Sequence, residues 1–244
     1  MIRCQNVHKS YAIGDHRVLA LRGVDLRIDE PGFYGIMGAS GSGKSTLMHL
    51  LAALDSPDEG SVSVAGQELA NLSERELTMF RRKRIGIVFQ QFNLIPTLTA
   101  QENVELPGML AGDPPGLLRQ RSEELLKTLG LGHRLHHRPD SLSGGEQQRV
   151  AIARSLLFRP PVVLADEPSG NLDSQNSRKL WALLRDVARE QQTTIIMVTH
   201  EPAAASHCRR VFVLSDGKVT GTIETEGLDA GGVAARYQEL VAAS

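Results

Sequence analysis

Eight consecutive residues, Gly38-Ala39-Ser40-Gly41-Ser42-Gly43-Lys44-Ser45, fit the pattern G-x-x-x-x-G-K-[ST] at every fixed position. Three glycines let the backbone turn tightly enough for successive N–H groups to face one concavity. Lys44 is placed to reach β- and γ-phosphates, and the Ser45 hydroxyl to meet Mg²⁺. A second group follows an apolar run, Val162-Val163-Leu164-Ala165, which ends in Asp166-Glu167. Beside a phosphate loop, such an Asp helps hold Mg²⁺, and the next carboxylate can polarise a water. A third segment, Leu142-Ser143-Gly144-Gly145-Glu146-Gln147, puts Ser and Gly at the start of an expected helix over about 146–157. That arrangement is either a second anion-binding helix end or a plain Ser cap with a nearby Glu.

The elements around these groups give the phosphate loop its context. Residues 33–37 read as a short buried strand and 46–51 as the opening of an amphipathic helix, whose positive dipole end adds to the loop. Residues 2–7 and 18–28 alternate apolar and polar positions, as strands of an antiparallel layer do, and 61–64 and 85–89 continue the strand set. From about 91 to 160 the character turns to helices and loops, with a loop at 112–116 and a helix over 117–129. Beyond 160, strands at 162–165 and 194–198 flank a helix at 174–190, and 211–214 with 219–223 predict a hairpin. Residues 229–232 read as a turn and 233–243 as a short helix.

Bulk properties narrow the function classes. The 244 residues suffice for one substantial core, and a net charge of −1 gives no general basis for nucleic-acid binding. Two cysteines, Cys4 and Cys208, cannot build a disulfide framework, which favours a reducing compartment. The N-terminus lacks the apolar stretch of a signal peptide, and no run of about eighteen apolar residues occurs to span a membrane. His133, His136 and His137 invite a metal reading, but the interleaved Arg134 and Arg138 favour a solvated loop. Arg81-Arg82-Lys83-Arg84 reads as a solvated helix end.

In this order the motifs resemble the ATP-binding-cassette (ABC) ATPase family over nearly the whole chain. Residues 38–45 look like the Walker A loop, Gln90 like the Q-loop glutamine, and 142–147 like the ABC signature. Residues 162–167 look like Walker B with its glutamate, Asn171-Leu172-Asp173 like the D-loop, and His200 like the switch histidine. Tyr11 is placed like the aromatic residue that stacks on adenine. The resemblance implies an α/β fold: a P-loop NTPase (RecA-like) core over 1–90 and 161–227 with an antiparallel β layer. It further implies an inserted α-helical subdomain over 91–160 and a tail over 228–244.

It implies ATP and Mg²⁺ as cofactors and a head-to-tail dimer around two ATP molecules. Glu167, His200 and Lys44 would be catalytic, and Ser45, Gln90 and Asp166 would hold the metal. Tyr11, Gly38, Ala39, Ser40, Gly41, Ser42, Gly43, Lys44, Ser45, Thr46 and Gln90 would bind nucleotide from one chain. Ser143, Gly144, Gly145 and Asp173 would come from the other.

Residues 89–107 and 165–173 are further similar to the MacB, LolD and FtsE group, departing at Ser169, where that group usually has Thr. This implies a membrane permease partner of the MacB, FtsX or LolC-E type touching 91–107. The chain would then sit peripherally on the cytoplasmic face of the inner or cell membrane, with no nucleic acid expected. Two other readings stay open: a regulatory ATPase of the FtsE kind, and a soluble ABC protein of repair or translation. The last is disfavoured by the lack of a second cassette, a coiled-coil insert or zinc-type cysteine pairs.

Overall fold

The computed structural model describes residues 1–14 and 16–242. An antiparallel sheet comes first in the chain. It is formed by β1 (Ile2–Ile13), β2 (His16–Ile28), β4 (Glu59–Val64) and the short β5 (Gln67–Glu68), in the order β2-β1-β4-β5. Along β2 the apolar residues Leu21, Val24, Leu26 and Ile28 are buried while Arg22, Asp25 and Arg27 are exposed. That is the signature of a sheet with one wet face.

The second sheet runs β10-β9-β3-β8-β7-β6. Its strands are β3 (Gly32–Met37), β6 (Ile85–Val88), β7 (Val162–Asp166), β8 (Thr194–Thr199), β9 (Arg210–Ser215) and β10 (Lys218–Glu224). All neighbours pair in parallel except β9 and β10, which form the expected hairpin. Residues 85–88, which continue the strand set by pattern, therefore belong to the parallel sheet and not to the antiparallel layer. The central strands β3, β7 and β8 are apolar on both faces, as parallel strands covered on both sides must be. In β8, Ile195 and Met197 face one core while Ile196 and Val198 face the other. In β7, Val163 and Ala165 oppose Val162 and Leu164 in the same way. Each such buried side chain contributes about 1.5–3 kcal/mol of transfer free energy.

One core lies between this sheet, helix α1 (Lys44–Leu51) and the antiparallel layer. The other joins it to α3 (Ala100–Ala111), α4 (Pro115–Thr128), α5 (Gly144–Leu156), α6 (Ser174–Glu190), α7 (Pro202–Ala205) and α8 (Ala230–Ala242). Helix α2 (Glu74–Arg84) precedes β6 and ends in the basic run 81–84, where cations meet the negative end of the dipole.

Capping explains several boundaries. Ser73, Thr99 and Ser143 each form a capping box with the Glu three residues on, and so start α2, α3 and α5. Helix α4 begins at Pro115, earlier than the predicted loop allows, because Pro is favoured in a first helical turn. Helix α8 likewise begins inside the predicted turn: the Asp229 carboxylate accepts from Gly232 N at 2.8 Å, and its carbonyl from Val233 N at 3.0 Å. The expected last residue of that helix, Ala243, lies outside the described residues.

Candidate active site

The phosphate loop leaves the end of β3, which lies between β8 and β9 in the sheet, and turns into α1. Its glycines are demanded by the chain's own backbone. A Cβ on Gly38 would sit 2.3 Å from Leu214 O and 2.5 Å from Ser42 Oγ. One on Gly43 would sit 2.5 Å from Ala20 O, at a φ of +103° that favours glycine. Helix α1 has Gly43 as its N-cap and no side chain capping it, and its first turn is closed only by Leu47 N donating to Gly43 O at 2.9 Å. The N–H groups of that turn therefore face outward for an anion. Two further signs fit a phosphate here. The buried Ser42 hydroxyl finds no partner among the described residues, and the 7% exposed Lys44 donates to the loop's own Ala39 O at 2.7 Å. Burial pushes the Lys44 ammonium below its usual value, while Glu167 and Asp166 pull the other way. Ala39, Ser40, Gly41 and Ser45 are exposed at the rim of the loop.

Strand β7 delivers Asp166 as its last residue. Burial pushes this carboxyl above the usual range, reinforced by the negative charge of Glu167 and opposed by His49 and Lys44. Two carboxylates close to a hydroxyl-bearing helix start suit a hard cation such as Mg²⁺, which takes one or two carboxylates and phosphate oxygens. Among the described residues no three His, Cys, Asp or Glu side chains form an all-protein metal cage. Glu167 has a φ of +40°, a left-handed conformation costing a bulky residue about 1–2 kcal/mol. Its N–H donates to Val198 O at 3.0 Å, and its carbonyl accepts from Gly170 N at 3.0 Å. That geometry aims the carboxylate at His200, just past β8, whose Nδ1 lies 2.7 Å from Glu167 Oε1.

Gln90 stands two residues past the end of β6, after Phe89, and is exposed. Its carbonyl accepts from Asn171 Nδ2 at 2.8 Å, and its Nε2 lies where a Cβ on Gly170 would approach to 2.6 Å. The next turn is bent through two left-handed residues, Phe92 (φ +52°) and Asn93 (φ +50°). Arg154 of α5 grips this bend, donating to Asn93 O at 2.5 Å and Phe92 O at 2.8 Å. Just beyond, the buried Asn103 amide donates to the carbonyls of Ile95, Leu98 and Thr99 and accepts from Ile95 N.

The signature segment is a finished helix cap. Ser143 Oγ accepts from Glu146 N, while Glu146 Oε2 accepts from Ser143 N at 2.8 Å and Ser143 Oγ at 2.9 Å. Hydrogen bonds from Ser143, together with Arg134 Nε at 2.9 Å, hold the Glu146 carboxyl down at about 2. Arg134 thus braces this cap and is not merely part of a solvated loop. Cβ atoms on Gly144 and Gly145 would meet nothing closer than 3.5 Å; their neighbours are Leu172, Asn171, Phe92 and Asn176. Asp173 caps α6 by accepting from Gln175 N and Asn176 N. The signature and the 170–173 loop are therefore side by side, whereas the neighbours of Gly38 and Gly43 are Leu214, Ser42, Ala20 and Leu21. The chain brings Lys44, Asp166, Glu167 and His200 together, and Gln90 with 170–171. Among the described residues, 143–145 are not among the nearest neighbours of its own loop glycines Gly38 and Gly43.

Tyr11 lies in β1 with its hydroxyl donating to Asp55 Oδ2 at 2.9 Å. The Lys9 ammonium stands 5.3 Å from its ring centre. Arg154 and His49 are absent from the residues expected on sequence grounds. Arg154 lies on the signature helix α5 and His49 on the exposed side of α1, and neither sits inside a motif.

A family model described as ABC transporter matches residues 21–170. The chain is 47% identical over 223 residues to an uncharacterized ABC transporter ATP-binding protein of Methanocaldococcus jannaschii, covering 91% of this chain and 99% of that one. It is 45% identical over 230 residues to the macrolide export ATP-binding/permease protein MacB of Bdellovibrio bacteriovorus. That match covers 94% of this chain but only 35% of the MacB relative's length. A solved dimeric, post-hydrolysis state of the cassette MJ0796, bound to ADP and Pi, superimposes with a TM-score of 0.83 at 43% identity. It covers 93% of this chain and 100% of that one. Family match, ordered motifs and site geometry agree: the chain belongs to the ABC transporter family as an ATP-binding cassette, an ATPase that uses ATP and Mg²⁺.

Proposed function

We propose that two copies of this chain close head-to-tail around two Mg–ATP and that the closure drives a separate membrane permease of the MacB, FtsX or LolC-E type. The observation that carries this reading is that, among the described residues, the nearest contacts of the loop glycines Gly38 and Gly43 and those of the signature glycines Gly144 and Gly145 come from different parts of the chain. Support also comes from the dimeric state of the solved cassette MJ0796. In one copy, the N–H groups around Gly41–Thr46 and the Lys44 ammonium bind the β- and γ-phosphates, with Tyr11 against the base. Ser45, Asp166 and Gln90 hold the cation. When bound, Mg²⁺ neutralises charge that builds on the β- and γ-oxygens during phosphoryl transfer. Glu167 orients and polarises the attacking water and takes its proton, and His200 holds Glu167 in place and contacts the γ-phosphate. Ser143, Gly144, Gly145 and Asp173 of the second copy cover the same nucleotide, so charge is shared across two chains.

Several observations support a permease docking on 91–107. Asn103 pins the loop before α3, where Ile95 is 41% exposed, and the last turn of α3 presents Met109 (56% exposed) and Leu110 (72%). The MacB relatives carry ATP-binding and permease functions under one name. On this reading the chain works peripherally at the cytoplasmic face of the inner or cell membrane, exporting or extracting a peptide, drug, lipid or lipoprotein through its partner.

The test is Glu167→Gln. With Mg–ATP it should run as a stable dimer in size-exclusion chromatography with light scattering, and turnover should fall by about 10²–10⁴-fold. A variant that hydrolyses ATP at the wild-type rate, or stays monomeric with ATP, would falsify the composite site.

A further inference from the structure

The geometry points to Arg154 as a positioning residue: from the signature helix α5 it holds the bend at Phe92 and Asn93 and so fixes where Gln90 stands relative to the cation site. This rests on the reading of Gln90 as a cation-holding residue. Two consecutive non-glycine residues in the left-handed region persist only where surrounding structure over-determines them. Within the bend itself, the backbone bond is from Asn93 N to Gln91 O. The guanidinium supplies the rest. Its two terminal nitrogens reach the carbonyls of adjacent residues at 2.5 and 2.8 Å, a match to a planar fork that a lysine ammonium does not reproduce. Among the described residues Arg154 makes no ion pair, so its donors serve these carbonyls and not a carboxylate.

The base on which Arg154 stands is rigid. A Cβ on Gly86 of β6 would lie 2.6 Å from Ser155 O, so α5 is pressed directly on the strand that ends just before Gln90. At the other end of α5, about 16 Å away over eleven residues, is the Ser143 cap. Phe92 bridges the two ends: its carbonyl is held by Arg154, and its ring tip lies 3.8 Å from where a Cβ on Gly144 would be. The Gln90 carbonyl is meanwhile held by the Asn171 side-chain amide. Without the Arg154 fork, the bend keeps its tether to Asn171 but loses its tie to α5.

The experiment compares Arg154→Ala, Arg154→Lys and Gln90→Ala in the full chain. ATPase rates are measured with Mg²⁺ varied at saturating ATP and with ATP varied at saturating Mg²⁺, and folded fraction is followed by circular dichroism. For Arg154→Ala we expect kcat to fall about 10-fold and half-saturating Mg²⁺ to rise about 5-fold, with KM for ATP changing less than about 2-fold. Arg154→Lys, which keeps charge and bulk, should recover part of both losses, and its half-saturating Mg²⁺ should still exceed the wild-type value. If Arg154→Ala does not fold, that Mg²⁺ shift in Arg154→Lys is the deciding measurement. Activity that falls only with folded fraction, at an unchanged half-saturating Mg²⁺, overturns the assignment. If Gln90→Ala shifts the Mg²⁺ dependence and the Arg154 variants do not, only this inference fails. If Gln90→Ala leaves it unchanged, the reading of Gln90 fails first.

Discussion

Helices α1 and α5 both carry glycines at their starts, and both are expected to meet the same phosphate, yet their first turns are completed differently. Helix α1 starts at a left-handed Gly43 with no side-chain cap, and the buried Ser42 hydroxyl beside it has no partner among the described residues. Helix α5 starts with a closed capping box and an arginine behind it. The glycines differ as well. Those at 38 and 43 are required by contacts within the chain, whereas 144 and 145 have room for a Cβ. A helix start that lacks its own cap is ready for an anion. One that is already capped keeps its shape in the free chain, and small residues there leave space for something from outside.

The comparison is most exposed at Gly43. Gly43→Ala should weaken ATP binding by about 100-fold or more, about 2.7 kcal/mol, in a fluorescent-nucleotide titration. Binding within about threefold of wild type would mean that α1 is not the phosphate seat. Gly144→Ala is the matching change at the other helix. It should leave binding to the monomer within about threefold, yet lower turnover about 10-fold and weaken the ATP-dependent dimer of the Glu167→Gln background. Equal losses in monomer binding would erase the distinction. Ser143→Ala removes an internal cap and should cost about 1 kcal/mol, a fall in Tm of about 2–4 °C by calorimetry.

The smallest effect is in pH. Hydrogen bonding lowers the Glu146 carboxyl from 4.5 to about 2, so its stabilisation is complete above the unfolded value. It fades as pH falls from 4.5 towards 2. The Tm difference between wild type and Glu146→Gln should narrow over that range. A constant difference would show that the carboxylate charge plays no part in the cap.

Much of this was legible in the residues because the signals were local. The buried parallel strands β7 and β8 announce themselves as apolar runs at 162–165 and 194–198, and α6 occupies the predicted 174–190. Lys44, Asp166, Glu167 and His200 could be named from motif order, and the fold brings them together. What was not legible depends on contacts distant in sequence. Strand β6 looks like any short apolar run until β7 pairs with it. Arg134 is twelve residues from Glu146 and Arg154 about sixty from Phe92, so no spacing rule connects either pair. The start of α8 was missed because Asp229 and two glycines read as a turn, when the carboxylate in fact caps the helix.

The strand order carries a consequence for synthesis. The antiparallel layer needs only residues up to 68, but β3, which aims the phosphate loop, pairs with β8 and β9 from residues 194–215. Gly217, in the turn after β9, then donates to Ser42 O. During translation the loop at 38–45 therefore emerges early and waits, without its flanking strands, until most of the chain has left the ribosome. Parallel pairings of this sequence separation close slowly and leave apolar strands exposed in the interval. A stall or truncation before residue 217 would release a chain with no nucleotide cradle and with the buried face of its β layer lacking strands it packs against.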